Sequence, residues 1–212
     1  MQIGAYRYDD DLIERTVLDR LPRLHVYRFD AVAVVLGRGS RPEQELLVDN
    51  CMADGVPILR RRGGGCAVVL DPGNVIVSLA LPTDGLANIN RCFTSITSWL
   101  IDGLGKSGIH GVRREGVSDL ALGDRKIAGS TMQRKKALVY HSASILVDPR
   151  IDLMERYLKH PPREPEYRGH RSHADFVGSL KVMSGIIDTQ AFFEDLEKML
   201  LLDDVSPFDH VA

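Results

Sequence analysis

The residues best suited to chemistry in this 212-residue chain lie within residues 60–74. There Arg60-Arg61-Arg62 runs into Gly63-Gly64-Gly65-Cys66, and a short β-branched run leads on to Asp71-Pro72-Gly73-Asn74. Such a segment suits an anion. Glycine lets the main chain approach a phosphate and aim N–H groups at it, and a guanidinium can hold a carboxylate or phosphate through two parallel hydrogen bonds. A glycine triplet alone is more often a tight turn with a solvated basic face. A second stretch, Gly123-Asp124-Arg125-Lys126-Ile127-Ala128-Gly129-Ser130, changes that weighting: a lysine sits among strand-forming residues, and a glycine three positions on leaves room beside it. A strand lysine by itself belongs on the solvated face. His141 lies within an otherwise apolar strand-like run, where a lone histidine is more often a hydrogen-bonded core residue than a catalytic one.

Composition bounds the partners. With 44% hydrophobic and 26% charged residues the chain reads as one soluble globular domain over residues 1–212. A net charge of -2 supplies no global basic field, so nucleic acid is not an expected partner and local patches must carry any anion binding. Cys51, Cys66 and Cys92 are odd in number and form no CxxC pair, which argues against a disulfide framework and a structural zinc site. No charged-then-apolar leader begins the chain and no apolar run is long enough to span a bilayer, so no membrane association and a cytoplasmic location are expected. His160, His170 and His173 show no cysteine or carboxylate companions at ligand spacing in the sequence, so no metal site is expected there.

The elements that must position these residues follow from periodicity. Asp9, Asp10 and Asp11 ahead of Leu12, Ile13, Val17, Leu18 and Leu21 predict an amphipathic helix closed by Pro22. Residues 24–29 and 31–36 read as a strand or a bent pair of strands. Leu46, Leu47, Cys51 and Met52 predict a helix from Pro42 to Gly55, with Cys51 facing the core. Residues 67–70 and 75–81 read as a hairpin around a type II Asp-Pro-Gly-Asn turn. Ile89, Cys92, Phe93, Ile96, Trp99 and Leu100 mark a helix ended by Gly103 and Gly105. Residues 119–147 alternate strands with tight turns as a meander, 151–158 form a short helix, 163–173 a loop, and Phe192 to Leu200 a helix capped by Asp188 or Thr189.

In this order and spacing, Arg60-Arg61-Arg62-Gly63-Gly64-Gly65-Cys66-Ala67-Val68, Asp71-x-Gly73-Asn74, Asp124-Arg125-Lys126-Ile127-x-Gly129-Ser130 and His141 resemble the lipoate-protein ligase A family, over about residues 24–180. The resemblance implies an α+β fold, a mixed, mainly antiparallel sheet flanked by helices, as in the class II synthetase-like catalytic domain of biotin and lipoate protein ligases. It also implies ATP-dependent activation of lipoate or octanoate to the acyl-adenylate, then transfer to a lysine of a lipoyl-domain protein. By position, Arg61 matches the nucleotide-binding arginine, and Gly64, Gly65, Cys66, Ala67, Val68 and Val69 match the segment around the acyl-adenylate. Lys126 matches the catalytic lysine that contacts the acyl carboxyl and the phosphate. Asn74, Asp119 and His141 complete the implied binding set, with Asp119 as the implied Mg2+ ligand.

The sequence departs from the family pattern at Cys66, in place of the last glycine, at Leu70, in place of a histidine, and at Tyr140, in place of the second histidine of a pair. One rival reading is an octanoyl- or lipoyl-transferase working through a cysteine thioester without ATP. It would require Cys66, because no cysteine follows Cys92 and the chain has Gly116-Val117-Ser118-Asp119 where one transferase branch has its nucleophile. A non-catalytic lipoyl-binding member of the fold is the other. Well-known ligases of this family carry a small C-terminal domain for which this chain has no counterpart, so a separately encoded accessory subunit is an expected partner.

Overall fold

A computed structural model of the chain describes residues 1–85 and 88–205. The first part runs β1 (Gly4–Ala5), α1 (Asp10–Asp19), β2 (Arg23–Arg28), β3 (Ala33–Leu36), α2 (Pro42–Glu45), α3 (Val48–Ala53), β4 (Ile58–Arg60), β5 (Val68–Leu70) and β6 (Asn74–Pro82). It continues through α4 (Ile89–Lys106), β7 (Arg113–Glu115), β8 (Asp119–Leu122), β9 (Arg125–Lys135), β10 (Leu138–Leu146), α5 (Ile151–Tyr157), α6 (His173–Phe176), α7 (Leu180–Ser184) and α8 (Thr189–Met199). The strands form two sheets. A mixed four-stranded sheet has the order β1-β4-β3-β5, and an antiparallel six-stranded sheet the order β2-β6-β10-β9-β8-β7. The result is an α+β fold flanked by helices.

Alternation along β6 and β10 decides what each face of the large sheet does. Val75, Val77, Leu79 and Leu81 of β6 and Val139, Ala143 and Ile145 of β10 join Cys92, Ile96, Trp99, Leu100 and Leu104 of α4 and Phe192 and Leu196 of α8 in the main core. The opposite face carries Ser78 and Ser142, whose hydroxyls lie 3.1 Å apart, together with Ala80 and Tyr140, which pack under Leu12 and Ile13 of α1. Phe29, Ala33, Val35, Leu70 and Ile76 join this second face to the small sheet. The small sheet buries its other side against α3, α5 and α6.

Several local expectations change. Residues 68–70 and 74–82 are not a hairpin, because β5 pairs with β3 and β6 with β2 and β10. Their connection is a corner between sheets. Asp71 accepts from the Gly73 and Arg150 amides, and Asn74 accepts from the Asp71 amide. Gly73 does not take the positive φ of a type II turn; it is needed because a Cβ there would lie 1.8 Å from the Asp148 carbonyl oxygen. Gly103 and Gly105 do not end α4, which runs on to Lys106, and a Cβ at Gly103 would lie 2.4 Å from Leu200 Cδ2, so this glycine admits α8. The helix expected over residues 42–55 breaks at Leu46-Leu47 into α2 and α3. In α1, Leu12, Ile13 and Thr16 are buried, whereas Val17 and Leu18, and Leu21 beyond its end, are exposed. Among the described residues, no helix is long and apolar enough to cross a membrane.

Candidate active site

The glycine loop connects β4 to β5 across the polar face of the large sheet, and glycine is required where it lands. A Cβ at Gly63 would lie 2.0 Å from Thr131 Oγ1, and one at Gly37 would lie 1.9 Å from the Gly65 carbonyl oxygen. Residues 37–40 therefore abut the loop. The Arg38 amide donates to the Gly63 carbonyl at 2.8 Å, and Thr131 Oγ1 donates to the Gly64 carbonyl at 3.1 Å. Buried Glu45 holds the far side. Its Oε2 accepts from Ser40 Oγ at 3.0 Å and from the Ala67 amide at 2.5 Å, while Ser40 Oγ also reaches the Gly65 carbonyl. Neither Glu45 nor Ser40 had a local signal in the sequence, since Glu45 reads there as one more polar residue of a helix.

All three arginines are engaged within the protein. Arg60 Nη1 donates to the carbonyls of Gly37, Arg38 and Ser40. Arg62 binds Asp10 at 2.6 Å and so ties the loop to the first turn of α1. Arg61 donates to the carbonyls of Val35, Gly64 and Cys66, and burial pushes its guanidinium pKa down. In this conformation Arg61 is a staple, so its expected nucleotide contact would require it to exchange loop carbonyls for phosphate oxygens. Gly64 and Gly65 are exposed at the tip, with Cys66 and Ala67 half-buried behind them. Of the strand residues that follow, Val68 packs toward the large sheet, whereas Val69 is buried in the small sheet's other core, away from the loop.

Lys126 reaches the same face through a bulge. Residues three apart on a regular strand point to opposite faces. Here β8 pairs Asp119 with Gly129 and Leu120 with Ala128, then Ala121 with Lys126, so Ile127 is the extra residue and both Ile127 and Ala128 enter the main core. Lys126 thereby shares a face with Asp119 and Gly129. Its Nζ lies 2.8 Å from Asp119 Oδ1, and a Cβ at Gly129 would lie 2.9 Å from that nitrogen. The second Asp119 oxygen accepts from the Tyr167 hydroxyl at 3.0 Å. Tyr167 sits in the segment read from sequence as a plain loop, where nothing local marked it. Burial, reinforced by Asp119, raises its phenol pKa and keeps it a donor.

The remaining expected site residues are not all gathered here. Asn74 is fully buried and braces the inter-sheet corner, with its Nδ2 donating to Ser144 Oγ at 3.2 Å. His141 faces the other way, edge-on to Phe93 of α4, with ring centroids 6.1 Å apart. Neither ring nitrogen has a hydrogen-bond partner among the described residues, and burial pushes its pKa down to about 4. It is a neutral core residue and does not reach the loop. Cys51 and Cys92 are buried, and burial raises both thiols. The Cys66 thiol donates to the Arg163 carbonyl at 3.6 Å. A groove of about 600 Å³ lined by Trp99, Ile109, Val112 and Met199 lies at the end of α4, on the side of the large sheet away from Lys126. It is separate from the candidate site.

Comparison with known proteins bears on the family and the fold. The family model described as the lipoyl protein ligase A/B catalytic domain matches residues 5–201. Lipoate-protein ligase A of Psychrobacter cryohalolentis is 30% identical over 171 residues, which cover 81% of this chain and 48% of that protein. The chain thus spans about half the length of the curated relatives it matches. A bipartite lipoate protein ligase from Thermoplasma acidophilum, whose structural study includes its E2 lipoyl domain, superimposes with a TM-score of 0.74 at 21% identity, covering 94% of this chain and 80% of that one. A lipoate-protein ligase A bound with ATP gives a TM-score of 0.75 at 20% identity, covering 93% and 83% of the two chains. At these identities the structural likeness establishes the fold alone.

Proposed function

This chain belongs to the lipoyl protein ligase A/B catalytic domain family, and on that footing we propose that it is an ATP-dependent lipoate–protein ligase acting on lipoate or octanoate. The observation that carries the reading is Lys126, turned by the bulge onto the face crossed by the glycine loop and fixed there by Asp119. In the first step an acyl carboxylate oxygen attacks the α-phosphorus of ATP, forming the acyl-adenylate and expelling pyrophosphate. In the second a lysine amine of a lipoyl domain attacks the acyl carbonyl, forming the amide, expelling AMP and losing a proton. The first step brings two anions together and the second develops negative charge on the acyl oxygen and the departing phosphate, and a fixed ammonium beside an amide-rich loop stabilises that charge. Asp119 aims Lys126, and Tyr167 orients Asp119. Magnesium is a different matter. Both Asp119 oxygens are already engaged, so a metal-ligand role would require release of Lys126 or Tyr167, and no step is routed through that ion.

The exposed Gly64-Gly65 tip favours a cover over the adenylate, because an acyl-phosphate anhydride survives longer with water excluded. The proposal therefore includes a separately encoded accessory subunit alongside the lipoyl-domain acceptor. Incubating the protein with lipoate and a lipoyl domain, with and without ATP, tests the reading. Ligation is expected only with ATP, accompanied by release of AMP. Transfer from an octanoyl thioester donor without ATP, with an acyl thioester trapped on Cys66, would instead establish the transferase.

A further inference from the structure

The segment following α5 brings together three side chains separated in sequence. His160 Nε2 lies 2.8 Å from Glu164 Oε2, and His170 Nδ1 lies 2.6 Å from Glu164 Oε1. The three donor atoms lie within 4.8 Å of one another. Glu164 supplies the carboxylate companion that the histidine spacing alone did not reveal. We propose that His160, Glu164 and His170 form a binding site for a divalent transition ion of the zinc class, which fastens residues 159–171 across the glycine loop.

The chemistry of the donors selects the ion. Two imidazole nitrogens and one carboxylate oxygen suit zinc and its neighbours, with a fourth position left for water, and do not suit magnesium, which prefers oxygen ligands. Ligand atoms around a tetrahedral zinc sit about 3.3 Å apart. The two histidines now contact different oxygens of Glu164, so their rings must shift to converge on one ion, and both are exposed enough to move. Glu164 is partly buried and held from behind, since its Oε1 also accepts from the His170 amide at 3.2 Å. Arg168 Nε lies 3.4 Å from Oε2. This cation weakens the site for any metal.

The consequence lies in what the segment touches. Between the ligands are Arg163, whose carbonyl accepts from the Cys66 thiol, and Tyr167, whose hydroxyl holds Asp119. A metal joining His160 to His170 closes this stretch into a ring, so both contacts become parts of one rigid strap. The inference needs no lipoyl chemistry and stands or falls separately from the proposed reaction.

Tag-free protein titrated with zinc chloride against a chromogenic chelator is expected to bind one equivalent. His170→Ala and Glu164→Gln should each lower the affinity at least tenfold, and magnesium chloride should not compete. His170 is almost wholly exposed, so its variant is expected to stay folded, which circular dichroism verifies. Zinc should also slow amide hydrogen exchange over residues 159–171 in the parent protein but not in His170→Ala. Zinc affinity within tenfold of the parent in both variants, absence of zinc binding, or unchanged exchange across the strap would overturn the proposal.

Discussion

Lys126 and Asp119 form a partly buried pair, and each depends on the other for position. Replacing Lys126 with Ala removes the cation and leaves Asp119 unneutralised, so acyl-adenylate formation is expected to fall by about 100- to 1,000-fold, the range for losing one preorganised charge stabiliser. Lys126→Arg should not restore it, because a planar fork cannot occupy the space beside Gly129 that an ammonium fills. Pyrophosphate exchange with lipoate measures both, and near-parental exchange in Lys126→Ala would refute the assignment. Cys66→Gly should retain ATP-dependent ligation, since, among the described residues, the thiol makes only a long donation to the Arg163 carbonyl. His141 carries a different expectation. Its folded pKa of about 4 lies below the ordinary 6.5, so the neutral ring contributes stability that is complete above pH 6.5 and is lost as pH falls toward 4. At about 1.36 kcal/mol per unit the difference is roughly 3 kcal/mol. Urea midpoints at pH 7.5 and pH 5 should converge in His141→Leu relative to the parent, and an unchanged pH slope would contradict this.

Among the elements, the glycine loop is held by close backbone approach as much as by hydrogen bonds. Gly37→Ala would force a Cβ into the Gly65 carbonyl, whereas Gly39→Ala meets nothing within 4 Å. The first is expected to cost about 1–3 kcal/mol of stability, as overpacking does, and to reduce activity by displacing the loop; the second should change neither. Equal urea midpoints for the two variants would argue against the loop being seated by this contact. The bulge at Ile127 has the same local character. One added residue re-aims a lysine, and without it Lys126 would point into the main core beside α4.

For the whole molecule, two sheets meet at a corner braced by Asp71 and Asn74, and the face they share carries the glycine loop and the Lys126–Asp119 pair. The chain matches about half the length of its curated relatives, and the loop tip stays open to solvent. If a separate subunit covers that tip, adding a small candidate partner to the chain should raise the lifetime of the acyl-adenylate and the rate of ligation together. Full adenylation and transfer by this chain alone, unchanged by any such partner, would remove the accessory subunit from the proposal.

The sequence by itself determined the helices α4 and α8, the existence of β6 and β10 as strands, the burial of Cys51 and Cys92, and the order of the loop and lysine motifs. Each of these is written in residues close together, as periodicity, capping or glycine content. Only the tertiary structure decided that the strands around Asp71 enter different sheets, that Lys126 shares a face with Gly129, that Arg61 serves its own loop, and that His141 turns away from it. Those outcomes depend on partners far along the chain, such as Gly37 against Gly65, Thr131 against Gly64, and Tyr167 against Asp119. Pairing register and side-chain contact arise from packing between segments, and no window of neighbouring residues contains the groups that settle them.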